Sequence, residues 1–182
     1  MLHIFNKILD WIYNLPIWVY IVSGILIFIA IFIYFLRTQY LENKKREKIK
    51  EDIKAKVQGL ANNAVEMSPE EFMAMRKTTL GGRGNPSLAL EYNFAGVYIL
   101  YNKTKNMYYI GQAQLILNRV NAHFTGKGNG DVYADYKYGD SFTIRMIALS
   151  RSGFSSLNEL ERHIIMTYDA FAKGYNKTRG NK

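Results

Sequence analysis

Hydrophobic and polar positions change period several times along the chain, and each change marks an element. From Ile17 to Leu36 the run IWVYIVSGILIFIAIFIYFL carries no charge over twenty residues. At about 1.5 Å of rise per residue such a helix spans about 30 Å, the thickness of a bilayer's hydrocarbon core. Trp11, Tyr13, Trp18 and Tyr20 gather near one end of the run and Tyr34 and Tyr40 near the other, as amphipathic rings do at the two membrane interfaces. A secretory signal has an apolar stretch of only about 7–15 residues followed by small residues. This run is longer and no such site follows it, so the pattern predicts an uncleaved transmembrane helix over 15–36. Upstream, residues 1–14 place Ile4, Phe5, Ile8, Leu9, Trp11 and Ile12 as the apolar positions of a short interfacial helix.

Beyond the span, charges of both signs mix from Thr38 to Leu60 with no proline, and no glycine before Gly59, which predicts a basic juxtamembrane helix within 37–66. Its apolar residues Ile49, Ile53, Val57 and Leu60 recur at spacings of four, four and three. A coiled coil asks for about three or four heptads, and this stripe offers fewer than two. Packing on the protein's own domain, or a solvated helix, is the expected use of residues 49–60, and the dimerisation signal there is weak; the oligomeric state stays open. Ser68-Pro69-Glu70-Glu71 predicts a helix start, with Ser68 as N-cap, Pro69 at the first helical position and Glu71 completing a capping box; the helix is expected to reach about Thr79. Gly81-Gly82-Arg83-Gly84-Asn85-Pro86 then breaks regular structure and reads as a linker within 67–93. It lacks the GK[ST] ending and the preceding strand of a phosphate-binding loop.

In the C-terminal half the period falls to that of strands. Gly96 to Tyr101 and Met107 to Gly111 are β-rich runs separated by the polar turn Asn102-Lys103-Thr104-Lys105-Asn106, a predicted hairpin. Leu115 to Phe124 reads as a helix, Ser141 to Leu149 as a third strand, and Leu157 to Ala172 as a second helix. In that last helix Leu157, Leu160, Ile164, Ile165, Tyr168 and Phe171 form one stripe at helical spacing, and Glu161 sits inside it while Glu159 points away. An ionised carboxylate facing a core is costly unless it is paired, hydrogen-bonded or bound to a cation. Glu161 is therefore a candidate metal ligand.

Composition narrows the chemistry. The chain's 182 residues allow one modest domain and an appendage. The absence of cysteine excludes disulfides, thiolate catalysis and Cys-based zinc sites. The formal charge of +9 favours polyanionic partners. Residues 37–58 hold eight basic and four acidic side chains, and residues 94–182 hold twelve and six. The first segment follows the apolar run, so a lipid bilayer is its expected partner; the second lies in the folded domain, where nucleic acid is expected. The cations after the span, against Lys7 and the terminal amine before it, predict an N-terminus outside and a cytoplasmic C-terminal part.

The triplet Gly96-Val97-Tyr98, a gap of ten residues, and the triplet Tyr109-Ile110-Gly111 resemble the signature of the GIY-YIG nuclease superfamily. Arg119 and His123 follow at the family's offset from the second tyrosine, Glu161 stands at its metal-ligand position, and Tyr175-Asn176 matches its closing asparagine motif. The resemblance covers roughly residues 94–176. Arg119 and His123, four apart, share one face of their helix independently of any family. The resemblance implies catalytic roles for Tyr98, Tyr109, Arg119, His123 and Glu161, with Gly96, Gly111 and Asn176 in support. It also implies a single divalent cation, Mg²⁺ or Mn²⁺, on Glu161, which suits an ion that needs only one or two carboxylates. Arg119 would hold the scissile phosphate, and Tyr98 would act as the general base or orient it, beside Tyr109. The family's intron-homing members carry a separate DNA-recognition region after the nuclease module, which is not found in the six residues that follow Asn176.

The expected fold is therefore α+β: a small domain at 94–182, with a three-stranded antiparallel sheet flanked by helices, preceded by a single transmembrane helix and a helical linker. The expected function is a membrane-anchored, metal-dependent endonuclease in the inner (cytoplasmic) membrane that cuts DNA, and incoming foreign or phage DNA in particular, as in superinfection exclusion. The sequence does not separate DNA from RNA. The alternative is a catalytically inactive module that holds nucleic acid at the membrane.

Overall fold

The computed structural model describes residues 2–78 and 92–180. The chain divides into two compact units, Met1–Lys50 and Glu51–Lys182.

The first unit contains helix α1, Leu2–Tyr13, and the larger part of helix α2, Ile17–Asn63. Pro16 separates them, and its carbonyl accepts from the Val19 amide at 2.9 Å, so the proline closes the turn at a position where its missing N–H is no loss. The apolar stretch of α2 is long enough to cross a membrane and none of it is buried within the protein. It is a candidate membrane span. Trp11, Trp18 and Tyr34 are all exposed.

The second unit is built on a three-stranded antiparallel sheet in the order β2-β1-β3, from β1, Gly96–Asn102, β2, Met107–Ala113, and β3, Phe142–Ala148. β1 is the central strand, with Tyr98 opposite Gly111 on one side and Met146 on the other. Alternation along β1 divides the core in two. Tyr98 and Leu100 face helices α3, Pro69–Lys77, α4, Ile116–Phe124, and α5, Gly130–Lys137, through Phe72, Ile116, Val120, Phe124 and Val132. Val97 and Ile99 face α6, Leu157–Thr167, through Leu160, Ile164 and Ile165. Each of these aliphatic side chains, when fully buried, stabilises the fold by about 1.5–3 kcal/mol.

The end of α2 completes the second layer. Val57 and Ala61 are wholly buried there, with Ile53 and Leu60 packed around them. The Lys56 ammonium donates to the Gly153 carbonyl at 2.8 Å and lies 4.1 Å from the centre of the Phe154 ring. Most of the apolar stripe in 49–60 is thus used within the protein's own domain, and only Ile49 stays largely exposed.

The predicted capping box at Ser68 is present. Ser68 donates its amide to Glu71 Oε2 at 2.7 Å and accepts the Glu71 amide on Oγ at 3.1 Å. α3 ends at Lys77, two residues before the expected end, with an extended Thr78 as its C-cap. The Gly81–Pro86 linker lies outside the described residues. Met67 pairs with Ile144 on the outer edge of β3.

Two expectations need correction. The last helix stops at Thr167 rather than Ala172, because Asp169 adopts a left-handed φ of 53°. Phe171 accordingly leaves the core stripe and is 40% exposed, with Arg179 stacked over its ring. The sequence also gave no warning of α5. Its one buried side chain is Val132, too little periodicity to register, and what starts it is Asn129, whose side chain accepts from the amides of Asp131 and Val132.

Candidate active site

Tyr98 stands at the centre of β1 and is 1% exposed. Its hydroxyl lies over Gly111 of the neighbouring strand, so close that a Cβ at 111 would come within 2.1 Å of Oη. The glycine of the second triplet is therefore the space the tyrosine of the first one occupies. At Gly96 a Cβ would meet the Ile147 carbonyl at 2.5 Å, which explains the other glycine by the close approach of β3.

α4 brings His123 and Arg119 to the same point. His123 is fully buried, with Nε2 at 2.8 Å from Tyr98 Oη and Nδ1 accepting from the Asn129 amide at 2.8 Å. Burial, aided by the nearby Arg119 charge, lowers its pKa to about 4, so the imidazole is neutral at pH 7. Burial pushes the Tyr98 phenol above its ordinary range, and Arg119 only partly opposes this. Arg119 is exposed, yet its guanidinium interacts with both the Tyr98 and Tyr109 hydroxyls, which raises its own pKa. Among the described residues no carboxylate pairs with it. Tyr109 packs its ring against His123, with centroids 4.9 Å apart, and against Tyr98 at 6.2 Å.

Glu161 approaches from the other layer. α6 packs on the opposite face of the sheet from α4, and the Glu161 side chain is buried at 8% exposure. Its Oε2 accepts from Gln112 Nε2 at 3.0 Å, and the same Gln112 amide donates to Asn158 Oδ1 at 2.7 Å. The two faces meet because β2 is an edge strand. A cleft of about 290 Å³ runs along that edge, lined by Tyr109, Asn129, Glu161, Asn176 and Lys177 among others. Tyr98, Tyr109, Arg119 and His123 thus form one contact group, and Tyr109 joins that group to Glu161 across the cleft. Glu159, as expected, faces away and caps α6, accepting from the Ser155 amide and hydroxyl.

Asn176 acts on the backbone of β2. It accepts the Ile110 amide on Oδ1 at 2.9 Å and donates Nδ2 to the Ile110 carbonyl at 2.7 Å, while the Tyr175 amide donates to the Tyr108 carbonyl. The edge strand is therefore paired over part of its length by the segment that walls the cleft. Tyr175 holds that segment from inside: its hydroxyl donates to Asp135 Oδ2 at 2.6 Å and accepts from the buried Asn102 at 2.7 Å. Gln112, Asn129 and Asn102 were missed at the level of sequence. Gln112 carried a readable signal, since it lies two residues after the inward-facing Ile110 and so shares the face of Glu161.

Among the described residues no three His, Asp or Glu side chains gather as a metal cluster. What the cleft offers is one carboxylate oxygen pair flanked by amide groups. That hard donor set fits an ion such as Mg²⁺, which keeps most of its waters, better than it fits zinc.

Residues 94–176 match the family model of the GIY-YIG catalytic domain. The C-terminal domain is therefore of the GIY-YIG type, which supports a nuclease-type function and implies nucleic acid as its substrate. A comparison with curated proteins found no match, and a comparison with solved structures found none.

Proposed function

We propose that the chain is a membrane-anchored, divalent-metal-dependent endonuclease that hydrolyses DNA phosphodiester bonds at the cytoplasmic face of the membrane. The observation that carries the reading is the cleft at the edge of β2, where Tyr109 and Glu161 line one opening and the exposed Arg119 guanidinium stands beside Tyr109. A binding module has no need of a buried carboxylate, a neutral histidine and two interacting phenols at one edge.

In this reading Arg119 grips the scissile phosphate, for which a planar guanidinium that pairs with no carboxylate among the described residues is suited. Tyr109 faces the substrate, and Tyr98, whose burial keeps its proton on, orients Tyr109 from beneath. Glu161 would hold the cation with Gln112 fixing one carboxylate oxygen. When bound, Mg²⁺ or Mn²⁺ would supply positive charge against the charge developing on the phosphodiester and its leaving oxygen. The apolar stretch of α2 supplies the anchor, the cations after it the orientation, and residues 37–58 an electrostatic attraction to anionic lipid. Tethering raises the effective concentration of the nuclease for DNA arriving through the membrane, foreign or phage DNA included, over the bulk chromosome.

The test is cleavage of plasmid DNA, and of RNA in parallel, by the purified full chain in detergent. The reading expects nicking or linearisation with Mg²⁺ or Mn²⁺ that stops with EDTA. Salt-sensitive binding without cleavage under any divalent cation would replace it with the inactive binding module.

A further inference from the structure

We propose that the Gly128–Asn129 turn is a positioning device: its amide fixes the proton of His123 on Nε2, so that His123 donates to Tyr98 rather than accepting from it. The catalytic consequence rests on the nuclease reading; the proton's location does not.

A backbone N–H can only donate. With the Asn129 amide 2.8 Å from Nδ1, Nδ1 must present its lone pair, and a neutral imidazole then carries its single proton on Nε2. Nε2 lies 2.8 Å from Tyr98 Oη, so the oxygen accepts. An imidazolium would set a second N–H against the Asn129 amide, in a buried site that already faces the Arg119 guanidinium.

The turn is built to bring that amide so close. A Cβ at Gly128 would lie 2.5 Å from His123 Nδ1 and 2.8 Å from its Cα and Cγ. On one side the Lys127 amide closes on the Ala122 carbonyl at 2.8 Å. On the other, the Asn129 side chain is tied to the first turn of α5, accepting from Asp131 at 2.9 Å and Val132 at 3.1 Å. Both ends of the turn are thus anchored to helices, and the amide has little freedom to leave the ring.

The direction then propagates. Tyr98 Oη receives the His123 proton, so its own proton is turned away from the imidazole. Tyr109, whose ring packs on both Tyr98 and His123, lines the cleft it shares with Glu161. The arrangement leaves His123 without a free lone pair for base catalysis.

The full chain, labelled with ¹⁵N-histidine in detergent micelles, tests this by long-range ¹H–¹⁵N correlation at pH 7. Of its three histidines, His123 is assigned by the loss of signals in His123→Gln. The expected spectrum is a neutral ring protonated on Nε2; protonation on Nδ1, or an imidazolium, overturns the proposal. Two variants add a catalytic readout. Gly128→Ala is expected to lower kcat by about tenfold or more with KM unchanged, the effect of one lost hydrogen bond, and to change the His123 signals; an unchanged spectrum and unchanged kcat overturn the proposal. His123→Gln keeps an N–H near the Nε2 position and is expected to retain more kcat than His123→Phe. Equal losses in the two would contradict the donor role. A wild-type chain that cuts no substrate defeats the nuclease reading alone, because the tautomer is still read directly.

Discussion

Acidification should weaken this fold through His123 before it reaches most carboxylates. The ring is fully buried, and its pKa falls from 6.5 to about 4. A group whose folded pKa is depressed contributes stability that is fully present above its unfolded value and is lost as pH falls toward the folded one. The relevant window therefore opens near pH 6.5 and closes near pH 4. At about 1.36 kcal/mol per pKa unit, the whole window corresponds to about 3 kcal/mol, and linkage places about 2 kcal/mol of it between pH 7 and pH 5. The assay is urea unfolding of the full chain in detergent at both pH values, read by pulse proteolysis, for wild type and His123→Gln. Glu66 and Asp135, whose carboxyls are held low by partners that include Arg145 and Lys105, act equally in both proteins and cancel. Wild type should lose about 2 kcal/mol more than the variant on going from pH 7 to pH 5. Equal losses would refute the argument, since they would mean that His123 titrates alike in the folded and unfolded chain.

Two further outcomes follow from single contacts. Gly111→Ala drives a methyl group to 2.1 Å from Tyr98 Oη, an overpacking expected to destabilise by about 1–3 kcal/mol and to lower kcat by displacing the phenol; thermal unfolding and single-turnover cleavage together check it. Asn176→Ala removes both hydrogen bonds to Ile110, which should cost about 1–3 kcal/mol and speed hydrogen exchange at the Ile110 amide. Unchanged exchange there would show that Asn176 does not hold the strand edge.

The hairpin, the third strand and two of the flanking helices could be read from the chain because their periods of two and about 3.6 are uninterrupted over several residues. The start of α3 was legible for a different reason: Ser68, Pro69 and Glu71 each satisfy a backbone need of a helix N-terminus. Where tertiary contacts decide, the chain was mute. α5 is short and owes its start to Asn129, a residue whose other role, holding His123, is invisible without the fold. The position of Glu161 was half legible. Its place in an apolar stripe marked it as inward, but nothing in that stripe said that α6 lies on the opposite face of the sheet from Arg119 and His123. They meet only because β2 is an edge strand, so that residues of opposite parity, Tyr109 on one face and Gln112 on the other, both reach its rim. The same geometry explains why the closing Tyr175-Asn176 pair matters: it occupies the strand edge and walls the cleft.

The role given to Glu161 is tested most directly by single-turnover cleavage of plasmid DNA by the full chain and by Glu161→Ala, with Mg²⁺ or Mn²⁺ and with matched folding verified by circular dichroism. If Glu161 holds the cation, the variant should cut slower on the order of a hundredfold or more while still binding DNA. Cutting at the wild-type rate would contradict the account at its centre.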